Sequence, residues 1–220
     1  MKIAILSDIH DNVWKLAAGL QGIQDTDVMI CCGDLCSPFI VDQLANGFAS
    51  PIHIVFGNND GDLFRITKNA QAHSHVLIHG EFAELVEIEG KLVNRKEFKK
   101  LHGKFFDRTV AGKRIAVNHY DNIALAVTES VKYDVVCYGH NHAYRVEQVG
   151  NTLTINPGAI MGYDGANQKD IPSTFVIYDT RTNEAKGYQV VTPAESGTGT
   201  GRIIHLSLKP DELMQEKFIK

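Results

Sequence analysis

The 220-residue chain has no apolar run approaching the roughly 18–20 residues that a membrane span needs. Before Ser7-Asp8 the N-terminus offers only Ile3-Ala4-Ile5-Leu6, too short for the apolar core of a secretory leader, so the chain reads as soluble and cytoplasmic. There is no excess of positive charge: 22 Lys+Arg stand against 26 Asp+Glu, which gives no basis for a nucleic-acid partner. Cysteine is sparse. Cys31 and Cys32 adjoin in one apolar run, Cys137 lies in another, and with Cys36 they make four, which excludes a disulfide scaffold and points to a reducing compartment. They read as small buried strand residues. The composition, 44% hydrophobic and 22% charged, is that of a globular protein and excludes disorder.

The first half alternates between strand and helix patterns. Lys2–Ser7, Val28–Cys32 and Ile52–Phe56 are apolar strand candidates. Between them Asn12 offers a cap to a helix with Val13, Leu16, Ala17, Leu20 and Ile23 at helical spacing. Pro38–Asn46 forms a second helix and Asp62–Ala72 a third. This order predicts parallel strands joined by helical crossovers. The second half predicts shorter, antiparallel strands at Phe82–Ile88, Arg114–Val117, Val135–Tyr138, Arg145–Val149, Thr152–Ile155, Thr174–Tyr178 and Ala185–Val191. A helix is expected over Ile123–Val131 and a hairpin turn at Gly150-Asn151. The expected architecture is α/β, two packed mixed sheets flanked by helices, α/β/β/α in four layers. Residues 1–192 are expected to form one domain, with a flexible stretch at Gly197–Gly201 inside a C-terminal extension over 193–220.

Ten histidines are the informative count, because several fall where predicted strands end. Asp8-Ile9-His10 follows the first strand, Gly33-Asp34 the second and Gly57-Asn58-Asn59-Asp60 the third. Asn118-His119 and Gly139-His140-Asn141-His142 follow two later strands. Ligands of open α/β sheets bind beyond the carboxyl ends of strands. Five such ends delivering Asp, Asn and His therefore predict one metal site assembled from distant segments. Residues i and i+2 of an extended chain point the same way, so Asp8 with His10, and His140 with His142, are expected to converge while Asn141 faces away. Gly33, Gly57 and Gly139 are expected to permit close backbone approach. His53, His73, His75, His79, His102 and His205 lack a comparable motif and read as packing or surface residues.

Asp8-x-His10, Gly33-Asp34, Gly57-Asn58-x-Asp60, His119 and Gly139-His140-x-His142 resemble the signature of calcineurin-like metallophosphoesterases. With Asn156-Pro157-Gly158, and in size, the chain is similar to the compact YfcE-type phosphodiesterase branch. The resemblance spans roughly residues 1–190 and implies two divalent metals. Asp8, His10 and His142 would hold one, Asn58, His119 and His140 the other, and Asp34 would bridge them. The resemblance favours Mn, and the N and O donors also suit Fe, Zn or Ni. It implies hydrolysis of a small phosphate ester, most simply a diester, by a metal-bridging hydroxide.

Two positions depart from that pattern. Asn59 stands where the family commonly carries histidine and the branch often cysteine, and an amide cannot deliver a proton at neutral pH. Asp60 beside it is expected to support the site from behind. Tyr120 and Asp121 follow His119 where glycine is expected, and narrow substrate entry. Separately, Lys91–Arg108 holds seven Lys or Arg against Glu97 and Asp107. Phe98, Leu101 and Phe105 predict an amphipathic helix there. It is a solvated helix packed on the domain, a phosphate-recruiting lid, or a subunit contact of a homo-oligomer. The alternatives to an enzyme of small diesters are a non-catalytic interaction scaffold on the same fold, or a nuclease or protein phosphatase of the same superfamily.

Overall fold

The computed structural model describes residues 1–102, 112–197 and 201–206. It opens with β1 (Lys2–Leu6), α1 (Val13–Gln21), β2 (Val28–Cys31), α2 (Phe39–Gly47), β3 (Ile52–Ile54), α3 (Leu63–Gln71) and β4 (Val76–Ile78). Each crossover between these strands is helical; β1, β2 and β3 pair in parallel as expected, and β4 adds to them in the same direction. Asn12 caps α1 by accepting from Lys15 N at 3.1 Å, and Asp62 caps α3 by accepting from Arg65 N at 3.0 Å. β4 has no counterpart among the expected strands: three apolar residues between histidine-rich flanks are too few to show a period.

The chain continues through β5 (Phe82–Ile88), β6 (Lys91–Asn94), α4 (Arg95–His102), β7 (Arg114–Asn118), α5 (Asp121–Glu129) and β8 (Val135–Cys137). Then come β9 (Arg145–Val149), β10 (Thr152–Asn156), a small pair β11 (Tyr163–Asp164) and β12 (Lys169–Asp170), β13 (Ser173–Asp179), β14 (Glu184–Val191), α6 (Pro193–Ser196) and β15 (Arg202–His205). Two large sheets result, ordered β15-β14-β13-β1-β2-β3-β4 and β6-β5-β7-β8-β10-β9. The hairpin of β9 and β10 turns at Gly150-Asn151, as the sequence predicts. The expectation of an antiparallel second half is only partly met. β7, β8 and β10 run parallel, because α5 carries the chain back over the sheet between β7 and β8. β13 instead returns to the first sheet and pairs antiparallel with β1.

Alternation along β1 sets the layers. Ile3 and Ile5, with Val28 and Ile30, pack between the sheets against Ile115, Val117, Val135 and Ile155. Ala4 and Leu6, with Met29 and Cys31, face Leu16, Leu20, Leu44 and Ile66 of α1 to α3. On the far side Ala116 and Val136 lie under Ala124 of α5, and Phe98 of α4 packs on Val86, Ile88 and Val93. The order is therefore helix, sheet, sheet, helix. Among the described residues no helix is long and apolar enough to cross a membrane.

The basic segment is not one helix. Leu92 and Val93 are buried, so Lys91–Asn94 pairs with β5 as β6, and the helix begins only at Arg95. Phe98 is 1% exposed, whereas Leu101, expected on the same apolar face, is 61% exposed. Lys104, Phe105, Asp107 and Arg108 lie outside the described residues. Beyond Val191, Arg202–His205 pairs with β14 and becomes the edge of the larger sheet. Residues 198–200 of the expected flexible stretch, and 207–220, lie outside the described residues.

The histidines without a motif take structural places. His53 in β3 stacks on His79, with ring centroids 5.1 Å apart and Nδ1 2.9 Å from His79 Nε2. Burial pushes His53 down to about 3 and His79 down to about 4. Both rings stay neutral in the folded chain where an unfolded chain, with histidine near 6.5, takes up protons. Their contribution to stability is complete above that pH and is lost as pH falls toward 4. The expected loss is about 1.4 kcal/mol per pH unit for each ring. Urea unfolding at pH 7 and pH 5 checks this: His53→Gln/His79→Gln should show a shallower fall than the wild type. Equal falls would contradict it.

Candidate metal centre

The loops after β1, β2, β3, β7 and β8 meet at one edge of the two-sheet core. Backbone bonds tie them: Asp8 N donates to Gly33 O at 3.1 Å, Ile9 N and His10 N to Asp34 O at 2.9 and 3.0 Å, and Gly139 N to His119 O at 3.0 Å. The convergence does not use the pleat of a strand, as the i, i+2 reading supposes. Asp8, His10, Asp34, His140 and His142 all have left-handed φ, between 44° and 73°. Such a conformation costs an L-residue about 1–2 kcal/mol, so the chain turns each side chain inward against its local preference. Close packing explains two glycines. A Cβ on Gly139 would lie 1.9 Å from Ser7 Oγ, and one on Gly57 would lie 2.2 Å from Asp34 Oδ1.

All seven candidate donors come together. Asp34 Oδ2 lies 3.4 Å from His10 Nε2 and 3.3 Å from His119 Nε2. Asp8 Oδ1 lies 3.4 Å from His142 Nε2 and 3.8 Å from His10 Nε2. Asn58 Oδ1 sits 3.0 Å from His119 Nε2 and 2.9 Å from His140 Nδ1. Donor atoms of Asp8, His10 and His142 all fall within 4.8 Å of one another, as do those of Asp8, Asp34 and His119. Asp8, Asp34 and His119 are buried; His140 is exposed and opens the site to solvent.

A surrounding layer holds these groups. His119 Nδ1 lies 2.8 Å from Cys32 O and His142 Nδ1 2.7 Å from Tyr163 O, so each ring donates outward and keeps its Nε2 lone pair for the centre. The Cys36 sulfur lies 3.4 Å from His10 Nδ1, which corrects the reading of all four cysteines as buried strand residues. Burial and the nearby carboxylates push its thiol up to about 12, so it is neutral. Asp60 accepts backbone N–H bonds from Asp34, Leu35, Cys36 and Gly57 at 2.7–3.0 Å. Burial raises its pKa against those four bonds. Asn59 does not face outward alone: its Nδ2 donates to Asp34 Oδ2 and its N to Asp34 Oδ1, both at 2.8 Å. Asn141 does face away, accepting from Asn156 Nδ2 at 2.8 Å and donating to Asp121 Oδ2 at 3.1 Å.

The electrostatics suit cations. Burial works to raise Asp8 and Asp34, yet the facing histidines hold both carboxyls below the ordinary range. Burial likewise works to lower His119 and His142, and the carboxylates instead hold them up. The donors are N and O atoms with lone pairs turned inward, a set that fits divalent transition ions.

Cys36, Asn156 and Tyr163 are the contributors that sequence reasoning missed as parts of the site. Cys36 carries a signal, two residues after Asp34; Tyr163 acts through a backbone carbonyl, which no side-chain pattern encodes. Tyr120 leans on the site: its ring centroid is 5.3 Å from those of both His119 and His140.

The sequence profile of the Calcineurin-like phosphoesterase superfamily domain matches residues 1–183. Phosphodiesterase MJ0936 of Methanocaldococcus jannaschii is 32% identical over 186 residues, covering 84% of this chain and 96% of the relative. A solved archaeal phosphodiesterase superposes with a TM-score of 0.66 at 26% identity, over 85% of this chain and 98% of that one. Chaetomium thermophilum Vps29 shares the fold at a TM-score of 0.59 and 14% identity, over 93% and 95% of the two chains. With that profile covering β1 to β13 and the whole constellation of aspartates, asparagine and histidines, the chain belongs to the calcineurin-like phosphoesterase superfamily.

Proposed function

We propose that this protein is a metal-dependent phosphodiesterase of small soluble phosphate esters. Asp8, His10 and His142 would hold one divalent ion, and Asn58, His119 and His140 a second, with Asp34 between them. The observation that carries this is Asp34 Oδ2, placed 3.4 and 3.3 Å from the Nε2 atoms of two histidines in different groups. The 32% identity to an archaeal protein named a phosphodiesterase supports the diester. Bound ions would supply the positive charge that draws in a phosphate anion and would lower the pKa of water at the site. Around them the chain's own groups have assigned tasks. Cys32 O and Tyr163 O orient the imidazoles, Asn59 steadies Asp34, and Asp60 fixes the loop that carries it.

Manganese is the first choice, with iron, zinc and nickel compatible with the same donors. Metal-stripped protein should not hydrolyse bis(4-nitrophenyl) phosphate, and reloading should restore activity at about two ions per chain. Full activity after stripping would refute metal dependence. Two bound ions with no hydrolysis of any diester would turn the reading to a scaffold.

A further inference from the structure

We propose that the polar cavity between α1, the β11–β12 pair and α6 is a subsite for a neutral, sugar-like polyol, the alcohol portion of the phosphate ester. The proposal rests on the hydrolytic reading above and names the substrate class of that same site. A cavity of about 400 Å³ is lined there by Asn12, Lys15, Asp170, Ser173, Gln189 and Glu195. It is built against the metal centre. Asn12, two residues after His10, donates from Nδ2 to Met161 O at 3.0 Å, and Met161 N donates to Asp8 O at 3.0 Å. Tyr163, also on the cavity wall, holds His142 Nδ1 through its carbonyl at 2.7 Å. One imidazole therefore separates this wall from the donor cluster.

The far wall belongs to the C-terminal extension. Glu195 of α6 lies beyond residue 183, where the match to the family profile ends. Its Oε2 accepts from Thr192 N at 2.8 Å and from Thr192 Oγ1 at 2.9 Å, and its Oε1 meets Lys15 Nζ of α1. The Lys15 side chain is only 14% exposed, so its ammonium is held at the wall and away from bulk water.

The lining selects by the direction of its hydrogen bonds. An ammonium carries three donors; Glu195 takes one, and among the described residues the others are left for a ligand. Beside it the carboxylates of Glu195 and Asp170 can only accept. A hydroxyl both donates and accepts, so neighbouring hydroxyls of one ligand satisfy the ammonium and a carboxylate together. An apolar alcohol satisfies neither and strips water from both. Two carboxylates against one ammonium also repel a second phosphate on the ligand. A neutral sugar meets both conditions.

The test compares two 4-nitrophenyl phosphodiesters in the manganese-loaded full chain, one of methyl glucoside through its primary hydroxyl and one of cyclohexylmethanol. The leaving group is the same and the bulk similar, so the hydroxyls make the difference. The glucoside diester should show kcat/KM higher by about tenfold or more, most of it in KM. Lys15→Met and Glu195→Gln should each bring that ratio close to one, whereas Lys15→Arg, which keeps the donors, should retain part of it. A ratio near one in the wild type would overturn the proposal, as would a high ratio that survives both substitutions. Titration of the zinc-loaded wild-type chain with methyl glucoside needs neither hydrolysis nor a variant. The amide resonances of Gly162, Ile171 and Glu195 should shift together, and resonances that stay in place would also overturn the proposal. Absence of hydrolysis of both diesters, with those shifts present, would strike the hydrolytic reading and leave the polyol site standing.

Discussion

Asp34→Asn should lower hydrolysis by about 10³-fold and reduce bound metal from about two ions per chain to below one. The side chain is almost the same size, so the effect is one of charge and hydrogen-bond direction. Asp34 Oδ2 faces two histidine nitrogens, and the two carboxylate oxygens accept separately from Asn59 N and Nδ2. An amide has one accepting oxygen. Whichever way it turns, its NH2 group must face an N–H of Asn59, and no negative charge remains between the histidine groups. His142→Ala, at the outer end of the cluster, should cost mainly one ion. Metal analysis after reconstitution separates the two variants, and two retained ions with undiminished activity in Asp34→Asn would sink the two-ion arrangement.

Asp60→Asn should destabilise the metal-free fold by roughly 2–6 kcal/mol, and Asp60→Ala by at least as much. Oδ1 of Asp60 accepts from Leu35 N and Cys36 N, and Oδ2 from Asp34 N and Gly57 N. An amide in either orientation orphans two of these donors, and a buried donor left unpaired costs about 1–3 kcal/mol. The same bonds hold the loops after β2 and β3 in register, so metal affinity should fall together with stability. Urea unfolding of metal-free protein gives the first quantity and calorimetry the second. A midpoint unchanged from wild type would show that the four bonds contribute nothing net.

Much of the architecture is legible in the order of residues alone. The spacing of Leu16, Leu20 and Ile23, and the caps Asn12 and Asp62, locate helices because those signals are local. The parallel order of β1, β2 and β3 follows from the helices between them. The constellation of Asp8, His10, Asp34, Asn58, His119, His140 and His142 can be named because each group follows an apolar strand and the set matches a family signature. β4 stays hidden because three residues cannot show a period. β6 reads as helix because the charges around it hide the burial of Leu92 and Val93.

What the tertiary structure alone decides is how the groups face. Local sequence suggests that Asp8 and His10 converge along a straight strand. Instead both sit at left-handed φ, a conformation that only the surrounding backbone bonds to Gly33 and Asp34 can impose. In the sequence Asn59 is a residue lacking a catalytic proton. Packing turns its amide onto Asp34, because that buried carboxylate needs donors. Tyr120 reads as bulk beside a histidine, and the fold sets its ring against two histidines from different loops. Residue types and strand order determine which groups reach the edge of the sheets. Their directions, tautomers and partners depend on contacts between segments far apart in the chain, and no local pattern carries that information.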